Sequence, residues 1–253
     1  MMKGIDVAKW NGVIDWAKVK KAGVEFAVLK VIDKSNKTES SFVRNYAGAS
    51  AQGLPLDVYN YLYTITEAAA REAAKAVVNA LAGRKVGKVW ADVEDACLKN
   101  KGILLIRIIN TYKAVIEAAG YEFGVYTGLS FYNSYIKPYK DYIDCDFWIA
   151  RYPSTKDMII TMDPAVSKKP SISHNLWGWQ YSSKGKISGI SGYVDLDICY
   201  TKADSNGTMQ STTVYYPRYT GTSASIVAAL NAVGVNSSYA TRKSIAKENG
   251  ITG

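Results

Sequence analysis

Histidine is almost missing from this chain of 253 residues: there is one, His174. Any Ser–His or Cys–His nucleophilic pair would have to use it. It sits in a polar stretch after Pro170 and reads as an ordinary surface residue. No Gly-x-Ser-x-Gly elbow and no His-Glu-x-x-His helix occurs. Cysteine is scarce as well. Cys97, Cys145 and Cys199 are odd in number and far apart, so they form neither a disulfide framework nor a Cys-x-x-Cys zinc pattern. They read as buried thiols of a chain made in a reducing compartment. No apolar run reaches the ~18–20 residues that span a bilayer, so no membrane insertion is expected. The opening Met1-Met2-Lys3-Gly4-Ile5-Asp6 lacks the apolar segment and small-residue cleavage site of a secretory leader, and cytoplasmic synthesis is expected. Lys and Arg outnumber Asp and Glu by 31 to 22, a net charge of +9. The basic residues are scattered and make no nucleic-acid motif, so the excess favours another anionic partner. Gly83–Lys88 reads Gly-x-x-x-Gly-Lys before Val89; a phosphate loop needs four intervening residues and a following Ser or Thr, so this is a turn. Metal, nucleotide and serine-nucleophile chemistry are all unsupported, and neither metal nor cofactor is expected.

What is present is a folded chain, 48% hydrophobic, with 21% charged residues of mixed sign. From Lys3 to about Lys202 a strand–turn–helix pattern repeats. Gly4–Val7, Glu25–Val31, Pro55–Tyr63, Val86–Glu94 and Phe123–Thr127 read as strands. Trp16–Ala22, Ser41–Gln52, Ile65–Ala82 and Ile103–Ala119 read as helices, each closed by a glycine. Phe147–Arg151, Leu176–Tyr181 and Tyr193–Ile198 follow as strands without clear helices between them. About eight strands in about 200 residues suggest a TIM-like α/β barrel whose last part has lost its helices, with a doubly wound open sheet as the alternative. The composition then changes. Residues 1–202 read as the barrel, 203–213 as a Ser/Thr/Asn/Gly-rich linker, and 214–253 as a small, mostly helical module (Ser225–Val233 and Tyr239–Asn249) that stops short at Ile251-Thr252-Gly253.

Carboxylates carry the remaining chemistry. Val89-Trp90-Ala91-Asp92-Val93-Glu94 is an apolar strand with two acids at its far end. Side chains two apart in a strand share a face, so Asp92 and Glu94 should project together. The C-terminal ends of barrel strands form an active-site rim. Two close like charges push one pKa up, giving a proton donor beside a charged partner, which is what glycosidic cleavage requires. Asp6 in the first strand and Asp195 in the last become neighbours if the barrel closes, and could face the same mouth. Aromatics are abundant, with 19 Tyr and 6 Trp. Tyr59, Tyr61, Tyr63, Tyr126, Trp148, Tyr152, Trp177 and Trp179 cluster near predicted strand ends, where their faces could stack on sugar rings. Asp6 or Asp195 taken alone is more often a turn cap, Asp92 and Glu94 can equally be a solvated strand-to-loop corner, and any one aromatic is more often core.

Eight pieces in order resemble glycoside hydrolase family 25: Gly4–Gly12, Phe26–Lys30, Asn45–Pro55, Trp90–Glu94, Gly124–Thr127, Trp148–Tyr152, Trp177–Tyr181 and Gly192–Leu196. The resemblance implies a flattened, irregular (β/α)5β3 barrel that hydrolyses the β-1,4 bond between N-acetylmuramic acid and N-acetylglucosamine of bacterial peptidoglycan, lysing the wall. By position, Glu94 would be the general acid, Asp92 would assist it or stabilise charge, and Asp6 and Asp195 would complete the floor. Tyr59, Tyr61, Tyr126, Trp148, Tyr152, Trp177 and Trp179 would be the sugar-binding aromatics. Whether a carboxylate, the substrate's N-acetyl oxygen or water attacks stays open, as do a catalytically inactive glycan-binding barrel and a chitin-cleaving one. The chain departs from the family at Asp57-Val58-Tyr59-Asn60-Tyr61 and at Asp33. Asp197 stands where the family usually has Asn and reads as structural. The C-terminal module resembles one that follows lytic domains in clostridial and phage enzymes. This implies wall binding, and Arg218, Arg242, Lys243 and Lys247 against Glu248 suit an anionic wall polymer. A partly folded tail or a subunit contact is the alternative. A lytic enzyme without a leader would need release, by lysis or by a pore that another protein makes.

Overall fold

Bulges apart, the strands of the first unit alternate between an outward side chain that meets helices and an inward one that meets the opposite wall. That period of two, with crossover helices between parallel strands, closes the sheet. The computed structural model describes residues 1–200, 221–223, 225–232, 237–238 and 242, and the chain divides into two units, Met1–Ala203 and Asp204–Gly253.

In the first unit the order is β1 (Met2–Val7), α1 (Trp16–Lys21), β2 (Phe26–Lys30), α2 (Phe42–Ala51), β3 (Leu56–Tyr61), α3 (Glu67–Leu81), β4 (Lys88–Asp92), α4 (Ile103–Ala118), β5 (Glu122–Gly128), α5 (Leu129–Phe131), β6 (Asp146–Ala150), β7 (Leu176–Gly185) and β8 (Val194–Cys199). The eight strands form a closed barrel in sequence order. Neighbours from β1 to β7 are parallel, whereas β8 runs antiparallel to both β7 and β1. Closure excludes the open doubly wound sheet.

The predicted elements fall within a few residues of those observed. Helix α3 shows why the ends move: the Thr66 side chain accepts from Ala69 N at 3.2 Å, capping a helix predicted to start at Ile65. Its buried face is Ala70, Ala73, Ala74, Val77 and Leu81, the spacing of one helical stripe. Two differences are larger. Strand β7 runs on to Gly185 because it pairs with β8 as far as Val194. And α5 continues through a π turn, Tyr132–Ile136, and a 3-10 stretch, Lys137–Tyr142, where the sequence shows no helical stripe. His174 holds that segment: its Nε2 faces the carbonyls of Lys140 and Ile143 at 3.1 and 3.2 Å, so it carries the proton, and Nδ1 accepts from Tyr132 Oη at 2.7 Å. The lone histidine is a clamp, not a free surface residue.

The outer core joins strands to helices through residues such as Ile5, Val7, Leu29, Val58, Ala91, Val125, Ile149 and Leu196. A second, aromatic core fills the barrel itself: Phe26, Val28, Trp90, Tyr126, Trp148, Trp177 and Cys199. Gly4 and Gly124 face inward beneath those rings; a Cβ on the first would strike the Phe26 ring and on the second the Trp90 ring. Cys97, Cys145 and Cys199 are joined in no disulfide; Cys199 is buried and the other two are half-buried. Burial pushes the Cys97 and Cys145 thiols up to about 11 and about 12, leaving them inert.

In the second unit the described helix is α6 (Ile226–Ala232), with Leu230 buried. The expected linker 203–213 lies outside the described residues, as does the expected second helical piece apart from Arg242. No helix among the described residues is long and apolar enough to cross a membrane.

Candidate active site

The acids gather at one end of the barrel. Asp92 ends β4 and points inward, Val93 turns outward into the helical core, and Glu94 turns inward again just past the strand. From β1 comes Asp6, registered directly against Asp195 of β8. Because β8 is antiparallel, it is the beginning of that strand, not its end, that reaches the mouth. Together with Lys30, Tyr59, Tyr61, Tyr126, Trp148, Tyr152 and Gln180, the four acids line one cavity of about 220 Å³. A shallower groove of about 640 Å³ continues from it past Glu94 and Tyr152 towards Ser130, Asn133 and Arg151.

Burial sets the charge state of these groups. Asp92 is 4% exposed, and no partner among the described residues reaches its Oδ1. Desolvation, then Glu94, pushes its pKa well up, and Lys30 opposes this. Desolvation and then neighbouring Asp95 raise Glu94. Asp195 is pushed up to about 6 by burial and by Glu94. Asp6 rises through burial and then Asp195. Half-buried Glu94 opens on both the cavity and the groove, which is the place for a proton donor to a bound chain.

Gln180, which sequence reasoning missed, ties the floor together. Its Nε2 donates to Asp6 Oδ2 at 2.6 Å, and its Oε1 accepts from Tyr126 Oη at 2.8 Å and from Tyr152 Oη. Those three bonds orient the amide and one carboxylate at once. Only the position of Gln180 in Trp177–Tyr181, opposite Asp197, could have flagged it. Gln180→Leu keeps most of the volume but strips Asp6 and two phenols of a buried partner. Each such loss costs about 1–3 kcal/mol. We expect catalytic turnover to fall about 10- to 100-fold with the circular dichroism spectrum unchanged; unchanged turnover would show that Asp6 needs no fixed orientation. Lys30, also missed, places its Nζ 5.7 Å from the ring centres of both Tyr59 and Tyr61.

Tyr59, Tyr61, Tyr126, Trp148 and Tyr152 line the cavity. Trp177 and Trp179 do not. Trp177 faces inward but lies deeper, with its ring centre 4.6 Å from that of Trp90. Trp179 faces outward into the helical core, 1% exposed, and donates from Nε1 to the Arg151 carbonyl at 2.7 Å. A bulge between Leu176 and Gly178, where β7 slips against β6, breaks the alternation and makes that split, and neither ring lines the cavity. Asp33 is half-buried at the entry to a turn, its Oδ1 accepting from Ser35 N and Lys37 N at 2.8 and 3.0 Å. Asp57 is half-buried at the other end of the barrel, accepting from Lys88 N and Trp90 Nε1, both at 2.8 Å. Tyr63 lies beyond β3, its ring centre 4.7 Å from that of Tyr61.

A closed β/α barrel with clustered carboxyls, their pKa values raised by burial, at the mouth and with aromatic side walls defines a glycoside-hydrolase type of site. Residues 5–190 match the Glycosyl hydrolases family 25 profile, and the chain belongs to that family. It is similar to the autolytic lysozyme of Clostridium acetobutylicum, 31% identical over 201 residues that make up 78% of this chain and 55% of that protein. Lysozyme M1 of Streptomyces globisporus is 26% identical, over 77% of this chain and 66% of that one. The chain thus matches less than two thirds of the length of either relative. Among solved structures, the autolysin LytC of Streptococcus pneumoniae in complex with a synthetic peptidoglycan ligand superposes with a TM-score of 0.61 at 25% identity, over 79% of this chain and 46% of that one.

Proposed function

We propose that this chain is a muramidase: it hydrolyses the β-1,4 bond between N-acetylmuramic acid and N-acetylglucosamine in bacterial peptidoglycan. The observation that carries the reading is the meeting of Asp6, Asp92, Glu94 and Asp195 in one aromatic-sided cavity that opens into a groove. Glu94, its pKa raised by burial and then by Asp95, gives its proton to the leaving glycosidic oxygen, and a water finally adds to the anomeric carbon. Asp92, beside it and opposed by Lys30, steadies positive charge developing on the sugar. Asp6 and Asp195 close the floor against the reacting face. Tyr59, Tyr61 and Tyr152 offer ring faces and hydroxyls to the sugars, and burial keeps those phenols protonated. The names of the two lysozyme relatives and the peptidoglycan held by the LytC structure support this choice of substrate. The second unit, with Arg218, Arg242, Lys243 and Lys247, is proposed to hold the enzyme on anionic wall polymer.

Mass spectrometry of the soluble fragments released from purified clostridial-type peptidoglycan tests the bond. Fragments with reducing-end N-acetylmuramic acid are expected. Reducing-end N-acetylglucosamine would mean that a different bond is cut. Release from chitin alone would move the substrate, and no release from either polymer would leave a glycan-binding barrel.

A further inference from the structure

Three carboxyls converge where β1 and β8 close the barrel, and one of them, Asp197, has no part in the reaction outlined above. Asp195 and Asp197 both point inward from β8, registered against Asp6 and Gly4 of β1. Asp197 is 0% exposed. Its Oδ1 accepts from Trp148 Nε1 at 3.0 Å. No N–H or hydroxyl among the described residues reaches its Oδ2, and no ion pair among them includes it. The Asp6 carboxyl lies within hydrogen-bonding reach, and its Oδ2 already accepts from Gln180. A buried carboxylate with an orphan oxygen, beside a second carboxylate, is very costly in a protein interior. One proton between the two groups removes the repulsion and satisfies the orphan together.

We propose that Asp197 is held as a neutral acid whose O–H donates to Asp6, so that the two carboxyls share one proton and Asp197 positions Asp6 as the ionised member. Burial first, then Asp6 and Asp195, pushes Asp197 in that direction. Every other titratable neighbour agrees. Asp195 stands beside it on β8, and Glu94 adds negative potential at Asp6 from the end of β4. Tyr181 on β7 is itself held protonated by burial and by Asp197. The one cation lining the cavity, Lys30 of β2, acts on Asp92 instead. Pinned by Gln180 and by Asp197, Asp6 is an acceptor of fixed direction, and the floor carries one negative charge fewer than its acids suggest.

Asp197→Asn is the direct test, since its amide N–H can donate to Asp6 while its oxygen still accepts from Trp148. Infrared difference spectra of wild type against Asp197→Asn at neutral pH should show loss of a protonated-carboxyl C=O band; loss of a carboxylate band instead would overturn the proposal. Denaturation across pH gives a second readout. A carboxyl whose folded pKa is raised contributes stability that is present below the unfolded value and lost as pH rises. Above the ordinary carboxylate range the variant should therefore gain on wild type by up to about tenfold in the unfolding constant per pH unit. Parallel curves would exclude a trapped proton. For positioning, Asp197→Ala should lose about tenfold or more in kcat on wall substrate, with most restored in Asp197→Asn. Equal losses in both would refute the positioning role. That last arm rests on the muramidase reading, whereas the spectra and the stability curves do not, so a failure of one is not a failure of the other.

Discussion

Glu94→Gln should abolish most wall hydrolysis, by about 10²- to 10⁴-fold in kcat, the range expected for removing a general acid, while the protein becomes no less stable. The loss follows from chemistry: the amide matches the acid in shape but has no proton to give to the leaving oxygen. The second half follows from electrostatics. Burial and Asp95 raise the Glu94 pKa, and its charge in turn raises Asp92 and Asp195. A raised carboxyl contributes stability that is present below its unfolded value and lost as pH climbs through the folded one. The variant should therefore unfold with wild type in acid and somewhat later than wild type near neutrality. Activity on purified peptidoglycan and thermal unfolding at several pH values check both halves. A variant that retained full activity would remove Glu94 from the acid role, and one that folded poorly would contradict the repulsion just described.

Trp90→Ala should cost about 3–5 kcal/mol of unfolding free energy, a large share of the ~5–15 kcal/mol that holds a domain together. Trp90 is 0% exposed. Its ring fills the centre of the barrel, packed against Trp148 at 5.9 Å and Trp177 at 4.6 Å between ring centres. Gly124 on β5 leaves it the space. The ring also serves a half-buried acid: Nε1 donates to Asp57 Oδ2 at 2.8 Å. Burial already pushes Asp57 up to about 6, and losing that donor strands one of its oxygens. Trp90→Phe separates the two effects, since it restores much of the volume but not the N–H. Urea denaturation should rank wild type above Trp90→Phe and Trp90→Ala last. A cost below about 1 kcal/mol in Trp90→Ala would mean that the barrel interior collapses freely around the gap, against the rigid packing described here.

What this sequence determines by itself is local. Alternation over two residues places Asp92 and Glu94 on one face, and they do share the cavity. The Ala-rich stripe and the Thr66 cap make α3, and a glycine beyond each helix ends it. The spacing of strands and helices suggests about eight strands, in a barrel or a doubly wound sheet, and closure settles which. The tertiary structure alone decided what depends on register and closure. The antiparallel entry of β8 sets Asp195 across from Asp6 and brings Asp197 within reach of it. The pairing of β7 with β8 placed Gln180 at the floor and its neighbour Trp179 in the helical core, while the bulge before Gly178 turned Trp177 inward beneath the site. Gly4 and Gly124 read as ordinary strand residues until the rings of Phe26 and Trp90 are seen to need their space. The α5 segment had no stripe to announce it, since its hold is the long-range clamp of His174. The physical reason is one throughout: a side chain's direction is a property of its own few residues, but its neighbour is chosen by strands far away in the chain.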